Sequence, residues 1–339
     1  MIRIENLYFM LCYAWNILPE RTLLHVDAHK APSVFNLLAN VFLNQLTRQL
    51  KQGLPHRYTA VEEELQGIRG RLLFSETIRR NRTGERMTVC RFDEFSPNHA
   101  ANQIVKTTLL RLCKTGELAK SLRKRAVQLQ RNLMGVESSE RIDDAQFHRL
   151  LQQTRVPSER LLLHLAQLLH ANLLVNEQTG HFTFREFWRD EKKMGTVFET
   201  FVRNFYQMEQ HRYSVKREHI VWQLEAPEAD RQFLPRMITD VSLQAVDRKI
   251  IIDTKYYVET LQRHFDVQKV HSTHLFQLFA YLKNQPASSN PAEGILLYPV
   301  VDRHVSLRYT QGSQVIRVET LDLTQSWQQI YSSLLNLIQ

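Results

Sequence analysis

The residues whose types and spacing can do chemistry together are Asp240, Asp253 and Lys255. Asp253 closes the apolar run Lys249-Ile250-Ile251-Ile252, and Asp253-Thr254-Lys255 follows the strand period, so the acid and the lysine share one face. A tight turn at Val246–Asp247 pairs residue 241 with 252 and sets Asp240 opposite Asp253, their Cβ atoms about 5 Å apart. Two carboxylates that close repel each other unless a cation or a shared proton compensates. Magnesium takes oxygen ligands and keeps several waters, which suits such a pair. Lys255 beside it can orient a nucleophilic water and offset charge developing on a phosphate. Glu199 offers a third carboxylate from the preceding helix, and Gln277 and Tyr281, four apart, share a helix face that can reach the same cleft. An acid-x-Lys triplet alone is weak, because Asp190-Glu191-Lys192 and Asp247-Arg248-Lys249 also match and read as a solvated charge run and a turn. The apolar strand, the upstream acid and the downstream Gln-x-x-x-Tyr together set Asp253 apart.

The elements that must hold these residues follow from periodicity. In the second half, Met194 to Gln210 reads as a helix, Arg236–Ala245 and Lys249–Tyr257 as two strands, His271–Leu282 as a helix and Gly294–Tyr298 as a buried strand. This alternation argues for a mixed α/β core, closed by a helix from about Thr324 to Ile338. In the first half, residues 6–18 read as a buried helix and Ser33 caps a second one that ends at Gly53. Tyr58–Leu65, Gly70–Phe74 and Met87–Phe92 read as a small β insertion. Helices return over 97–115, 117–133 and 143–153, and Pro157 opens another, with a turn at Asn176–Gly180 and a strand at His181–Phe187. The boundary between two domains is expected near residue 155.

Composition bounds the class. The chain has 339 residues, 43% hydrophobic and 23% charged, with 10 Gly and 10 Pro, which fits about two globular domains and excludes a disordered or collagen-like chain. Three cysteines without a CxxC pair exclude a disulfide framework and a four-cysteine metal site, and fit a reducing, cytoplasmic setting. The apolar run Leu7–Leu18 is too short to span a bilayer. A net charge of +9 is compatible with a polyanionic partner without proving one. Arg263, His264, Lys269 and His271 are of the type that contacts DNA phosphates. Lys120, Arg123, Lys124, Arg125 and Arg131 read as one basic helix face. His164 and His170 lack zinc-site spacing.

The acid, acid, lysine and Gln-x-x-x-Tyr set resembles the PD-(D/E)xK nuclease motif in its RecB-like branch. The flanks narrow the resemblance. Leu234-Pro235-Arg236-Met237-Ile238-Thr239-Asp240, Ile251-Ile252-Asp253-Thr254-Lys255-Tyr256-Tyr257 and Leu275-Phe276-Gln277 look like the McrC family of modification-dependent restriction systems. So do Asn6-Leu7-Tyr8-Phe9-Met10-Leu11-Cys12-Tyr13-Ala14-Trp15, Gly67-Ile68-Arg69-Gly70-Arg71, Asn102-Gln103-Ile104-Val105-Lys106 and Leu297-Tyr298-Pro299. Pro235 stands five residues before Asp240 rather than beside it, as in that family.

The resemblance implies an α+β N-terminal stalk over residues 1–155 and an α/β, restriction-endonuclease-like domain over 156–339. It implies magnesium-dependent cleavage of double-stranded DNA carrying modified cytosine, with Asp240, Asp253 and the Thr254 backbone carbonyl as metal ligands. It also implies docking of the stalk on a hexameric AAA+ GTPase of the McrB type, whose GTP hydrolysis it stimulates. The sequence lacks a GxxxxGK[ST] loop, so nucleotide is expected on the partner and not on this chain. Arg69, Arg71, Arg79 and Arg80, with Arg82 and Arg86, mark the β insertion as the stalk tip, to be read either as a partner contact or as solvated surface. A non-catalytic adaptor and a stand-alone RecB-like nuclease are the competing functions.

Overall fold

Helix α1 (Ile4–Ala14) buries every residue from Asn6 to Tyr13, so it has no solvent face and shows little amphipathic period. The computed structural model describes residues 2–17, 33–80, 87–139, 141–175, 182–256, 262–264, 267–286, 292–300 and 304–339. The chain folds into two compact units: Ala31–Arg185, and Met1–Lys30 together with Glu186–Gln339. The expected division near residue 155 is therefore displaced in two ways. Residues 156–185 stay with the first half, and α1 joins the second.

The inserted unit opens with α2 (Val34–Gln52), where the Ser33 hydroxyl accepts the Asn36 N–H at 3.2 Å and Gly53 ends the helix at φ +99°. Then come β1 (Arg57–Leu65), β2 (Arg71–Leu72), the short α3 (Phe74–Arg80) and β3 (Thr88–Ser96). β1 and β3 form a nine-pair antiparallel ladder from Arg57↔Ser96 to Leu65↔Thr88, with β2 on the far edge of β3. Gly70, at φ +68°, passes so close to β3 that a Cβ would lie 2.6 Å from the Arg91 carbonyl oxygen. The strand expected over Gly70–Phe74 is thus only two residues long, and Phe74 begins a helix instead. Helices α4 (Ala100–Cys113), α5 (Lys120–Arg131), α6 (Asp144–Gln153) and α7 (Pro157–Asn172) complete the unit with the pair β4 (Leu173–Val175) and β5 (Phe182–Phe184). α7 packs on α2, α4 and α6, which is why it belongs here. The turn expected at Asn176–Gly180 lies outside the described residues.

The sheet unit continues with α8 (Glu191–Glu209), β6 (Ser214–Lys216), β7 (His219–Ile220), α9 (Glu228–Arg231), β8 (Met237–Ile238), β9 (Val241–Gln244) and β10 (Lys249–Thr254). After them come β11 (Gln262–His264), β12 (Val267–Lys269), α10 (Ser272–Lys283), β13 (Glu293–Pro299), β14 (Ser306–Gln311), β15 (Gln314–Leu321) and α11 (Trp327–Leu337). Six strands form one mixed sheet in the order β14-β15-β13-β10-β9-β6. The β15–β13 and β13–β10 pairs are parallel and the other three antiparallel. Helix α1 packs on α8, with Phe9 stacked on Trp327 at 4.6 Å and Tyr13 against Phe205 at 5.5 Å. The Asn6 amide donates to the Leu323 and Gln325 carbonyls at 2.9 and 2.8 Å, which ties the start of the chain to its end within this unit. The β14–β15 hairpin was not among the expected elements. Among the described residues, no helix is long and apolar enough to cross a membrane.

Candidate active site

β9 and β10 pair antiparallel with Val241 opposite Ile252 and Gln244 opposite Lys249, the register expected from the Val246–Asp247 turn. The ladder ends there, one residue short of Asp240 and Asp253. The long strand expected over Arg236–Ala245 is broken, however. At Thr239 the backbone leaves β9: its N–H donates to the Glu218 carbonyl at 3.0 Å, and its hydroxyl accepts the Glu218 N–H at 2.9 Å. The bend turns Asp240 so that one carboxylate oxygen, Oδ2, accepts both the Thr254 N–H at 2.8 Å and the Thr254 hydroxyl at 2.9 Å.

Asp253 is fully buried. Its Oδ2 meets Lys255 Nζ at 2.8 Å, and its Oδ1 has no hydrogen-bond donor among the described residues. Burial, against the pull of Lys255 and reinforced by Asp240, pushes the Asp253 carboxyl above the ordinary carboxylate range. Asp240 is raised as well, by burial and by Glu199, with the Thr254 hydrogen bonds opposing. A buried, unsatisfied carboxylate oxygen is costly to keep. A divalent cation there would relieve that cost, so the all-oxygen donor set of Asp240 and Asp253 fits magnesium.

Lys255 is held from a second side. Its ammonium donates to Gln277 Oε1 at 3.0 Å, Gln277 Nε2 donates to the Tyr281 hydroxyl at 2.7 Å, and that hydroxyl donates to the Ile238 carbonyl at 2.9 Å. This chain of bonds runs from β10 across α10 to the backbone just before Asp240. Burial pushes the Tyr281 phenol up to about 12, so it stays a donor. α10 comes close enough because Gly294 on β13 leaves room: a Cβ there would lie 2.8 Å from Leu282 and 3.0 Å from Leu278.

Glu199 takes a different place from the third ligand weighed on sequence. Its Oε1 accepts from Arg203 Nη1 at 2.9 Å and lies 3.5 Å from Arg217 Nε. The same Arg203 nitrogen donates to the Asp240 carbonyl at 3.1 Å. Sequence reasoning missed Arg203 and Arg217. The Glu199–Arg203 i,i+4 spacing was the available signal for the first.

The other expected residues are placed as follows. His271 precedes α10 and stacks on His274 at 4.8 Å, while His274 Nδ1 pairs with the Tyr298 hydroxyl at 2.9 Å. Arg263 and Lys269 lie on β11 and β12, and their side chains fall outside the described residues. In the inserted unit, Arg79 and Arg80 pair with Glu76, and Arg80 also with Glu64. The Arg69 guanidinium lies over the Phe92 ring, 4.1 Å from its centroid, and Arg71 is exposed on β2. Arg82 and Arg86 are outside the described residues. Ile68, Phe74 and Ile78 are exposed around these arginines, an apolar feature that charge counting overlooked.

A family model described as McrBC 5-methylcytosine restriction system component matches residues 3–299. The chain is 29% identical over 339 residues to the type IV methyl-directed restriction enzyme EcoKMcrBC of Escherichia coli (strain K12), covering 99% of its own length and 97% of that relative's. It is also similar to a chain in the refined half-complex from the tetradecameric assembly of Thermococcus gammatolerans McrB AAA+ hexamers with bound McrC. That similarity has a TM-score of 0.58 at 16% identity, over 99% of this chain and 76% of the other, and it shows a common fold.

Proposed function

The chain belongs to the McrBC 5-methylcytosine restriction system component family, and from that premise we propose that its sheet unit is a magnesium-dependent DNA endonuclease of the PD-(D/E)xK type. The observation that carries this reading is the buried Asp253, one oxygen without a donor and the other on Lys255, beside an Asp240 oriented by Thr254. A chain that only docked on a motor would have no use for so costly a carboxylate. Asp240, Asp253 and the Thr254 carbonyl would hold the ion, which when bound supplies positive charge to the carboxylate pair and to a phosphate. An ammonium has three N–H donors. One of those on Lys255 goes to Gln277 while the ammonium is ion-paired with Asp253, which leaves a donor for an attacking water or a non-bridging phosphate oxygen. Gln277 and Tyr281 fix the direction of that donor. Hydrolysis then adds water across one phosphodiester bond and releases a hydroxyl and a phosphate end.

The inserted unit is assigned the docking role, with a hexameric, GTP-hydrolysing AAA+ protein of the McrB type as its partner. Its β1–β2 connection and α3 carry exposed Ile68, Phe74 and Ile78, with exposed Arg71 on β2, which gives a partner apolar anchors as well as charge. Arg79 and Arg80 are engaged with acids of their own unit and serve mainly to shape it. The test combines the chain with its AAA+ partner, GTP and DNA bearing methylated cytosine. Cleavage should need magnesium, stop in chelator and be lost in Lys255→Ala, while the partner's GTP hydrolysis persists. Cleavage that survives the chelator, or survives Lys255→Ala, would overturn the assignment.

A further inference from the structure

Helix α5 carries five basic residues and no acidic one. Two of the five act inside the unit. Arg125 donates to Asn44 at 2.6 Å, Thr47 at 2.8 Å and the Leu43 carbonyl at 3.1 Å on α2, and Arg123 donates to the Thr115 carbonyl at 2.6 Å. The remaining three, Lys120, Lys124 and Arg131, are exposed and make no ion pair among the described residues. Spaced four and seven residues apart, they lie along one stripe of the helix, about 16 Å long at 1.5 Å per residue. They line a groove of about 620 Å³ with Leu118, Val127 and Gln128, and Glu117 is the acidic residue nearest in sequence.

We propose that this groove binds the sugar–phosphate backbone of the DNA substrate, as a non-catalytic contact on the inserted unit. The proposal rests on the reading of the chain as a DNA-cleaving component. Unpaired cations in a row with a neutral amide between them match a line of phosphates, which Lys, Arg and Gln contact without reading sequence. Among the described residues, no aromatic side chain lines the groove. It therefore lacks both the anchors that dominate protein interfaces and the stacking platforms that grip unpaired bases. The row of cations and the want of aromatic anchors favour a duplex backbone over an acidic protein face.

The test is fluorescence anisotropy of the full chain with a short unmodified duplex in chelator, across a salt series, so that binding is read without cleavage. Replacing Lys120, Lys124 and Arg131 together by Gln should weaken binding about tenfold and make the slope of log K against log salt shallower by about 2 to 3, as three lost phosphate contacts require. An unchanged melting temperature confirms the fold of this surface variant. The same charge removed at exposed Arg155, Arg185 and Arg308 should shift the slope far less. An equal shift in that control, or no change in the groove variant, would overturn the proposal. So would intact DNA binding with loss of the AAA+ complex, which would make the groove a protein interface. The groove is read by binding in chelator and the nuclease reading by magnesium-dependent cleavage, so the two can fail separately.

Discussion

Arg203 joins two acids of the site through one nitrogen. Its Nη1 donates to both Glu199 and the Asp240 carbonyl, and we propose Glu199 as the anchor of the arginine that holds Asp240. With magnesium bound as proposed, added magnesium should raise the melting temperature, Glu199→Gln should keep that rise, and Arg203→Ala should weaken it by misplacing Asp240. Loss of that rise in Glu199→Gln would make Glu199 a ligand. Tyr281→Phe removes the bond to Ile238 and loosens Gln277 and Lys255 behind it. One such hydrogen bond is worth about 1 kcal/mol, so a drop in cleavage rate of roughly fivefold to tenfold is expected, with substrate KM unchanged. Asp253 and Lys255 were legible in the sequence because strand alternation fixes same-face neighbours. Arg203 was not, since a cation on a helix reads as surface until the backbone of Asp240 is seen to reach it.

At the scale of elements, α10 is the part that can be moved without touching an acid or the lysine. Gly294 lets it lie against β13, and a side chain there would meet Leu278 and Leu282. Gly294→Ala should be tolerated with a small shift of leucine tips. Gly294→Val should cost about 1–3 kcal/mol in stability by overpacking and should lower cleavage more than its melting temperature alone explains, because Gln277 moves away from Lys255. Equal cleavage by the valine variant would show that α10 does not position the lysine. The helix capped by recognisable residues was read well: Ser33 and Gly53 stand at the two ends of α2. The break between β8 and β9 was hidden, because Arg236–Ala245 alternates like one strand while the bend is imposed from outside by Glu218. The β14–β15 turn at Gly312 was also passed over, since the outer strand is nearly all exposed and its apolar alternation is only Leu307 and Tyr309.

At the scale of the molecule, the chain order of the two units departs from the sequence reading because α1 looks like part of the segment it precedes. Its buried aromatics find their partners in α8 and α11 instead, and nothing local announces that. Titration offers a global check. Burial lowers both His164 and His274 to about 4, so the fold holds them neutral while the unfolded chain takes up protons near 6.5. The stability they contribute is therefore complete above pH 6.5 and is lost as pH falls from there toward 4. Thermal melts should show that loss, and His164→Leu should flatten part of it. The aspartates carry the opposite sign: with raised pKa values, their ionisation destabilises the metal-free fold as pH rises above the carboxylate range. The central claim is that these buried carboxylates cut DNA, and it is tested most directly by Asp253→Asn, which keeps the shape and removes the charge. In complex with the AAA+ partner, with magnesium, GTP and methylated DNA, cleavage and GTP hydrolysis are measured in one sample. The account predicts that cleavage falls to background while GTP hydrolysis stays at the wild-type level, and cleavage at the wild-type rate would contradict it.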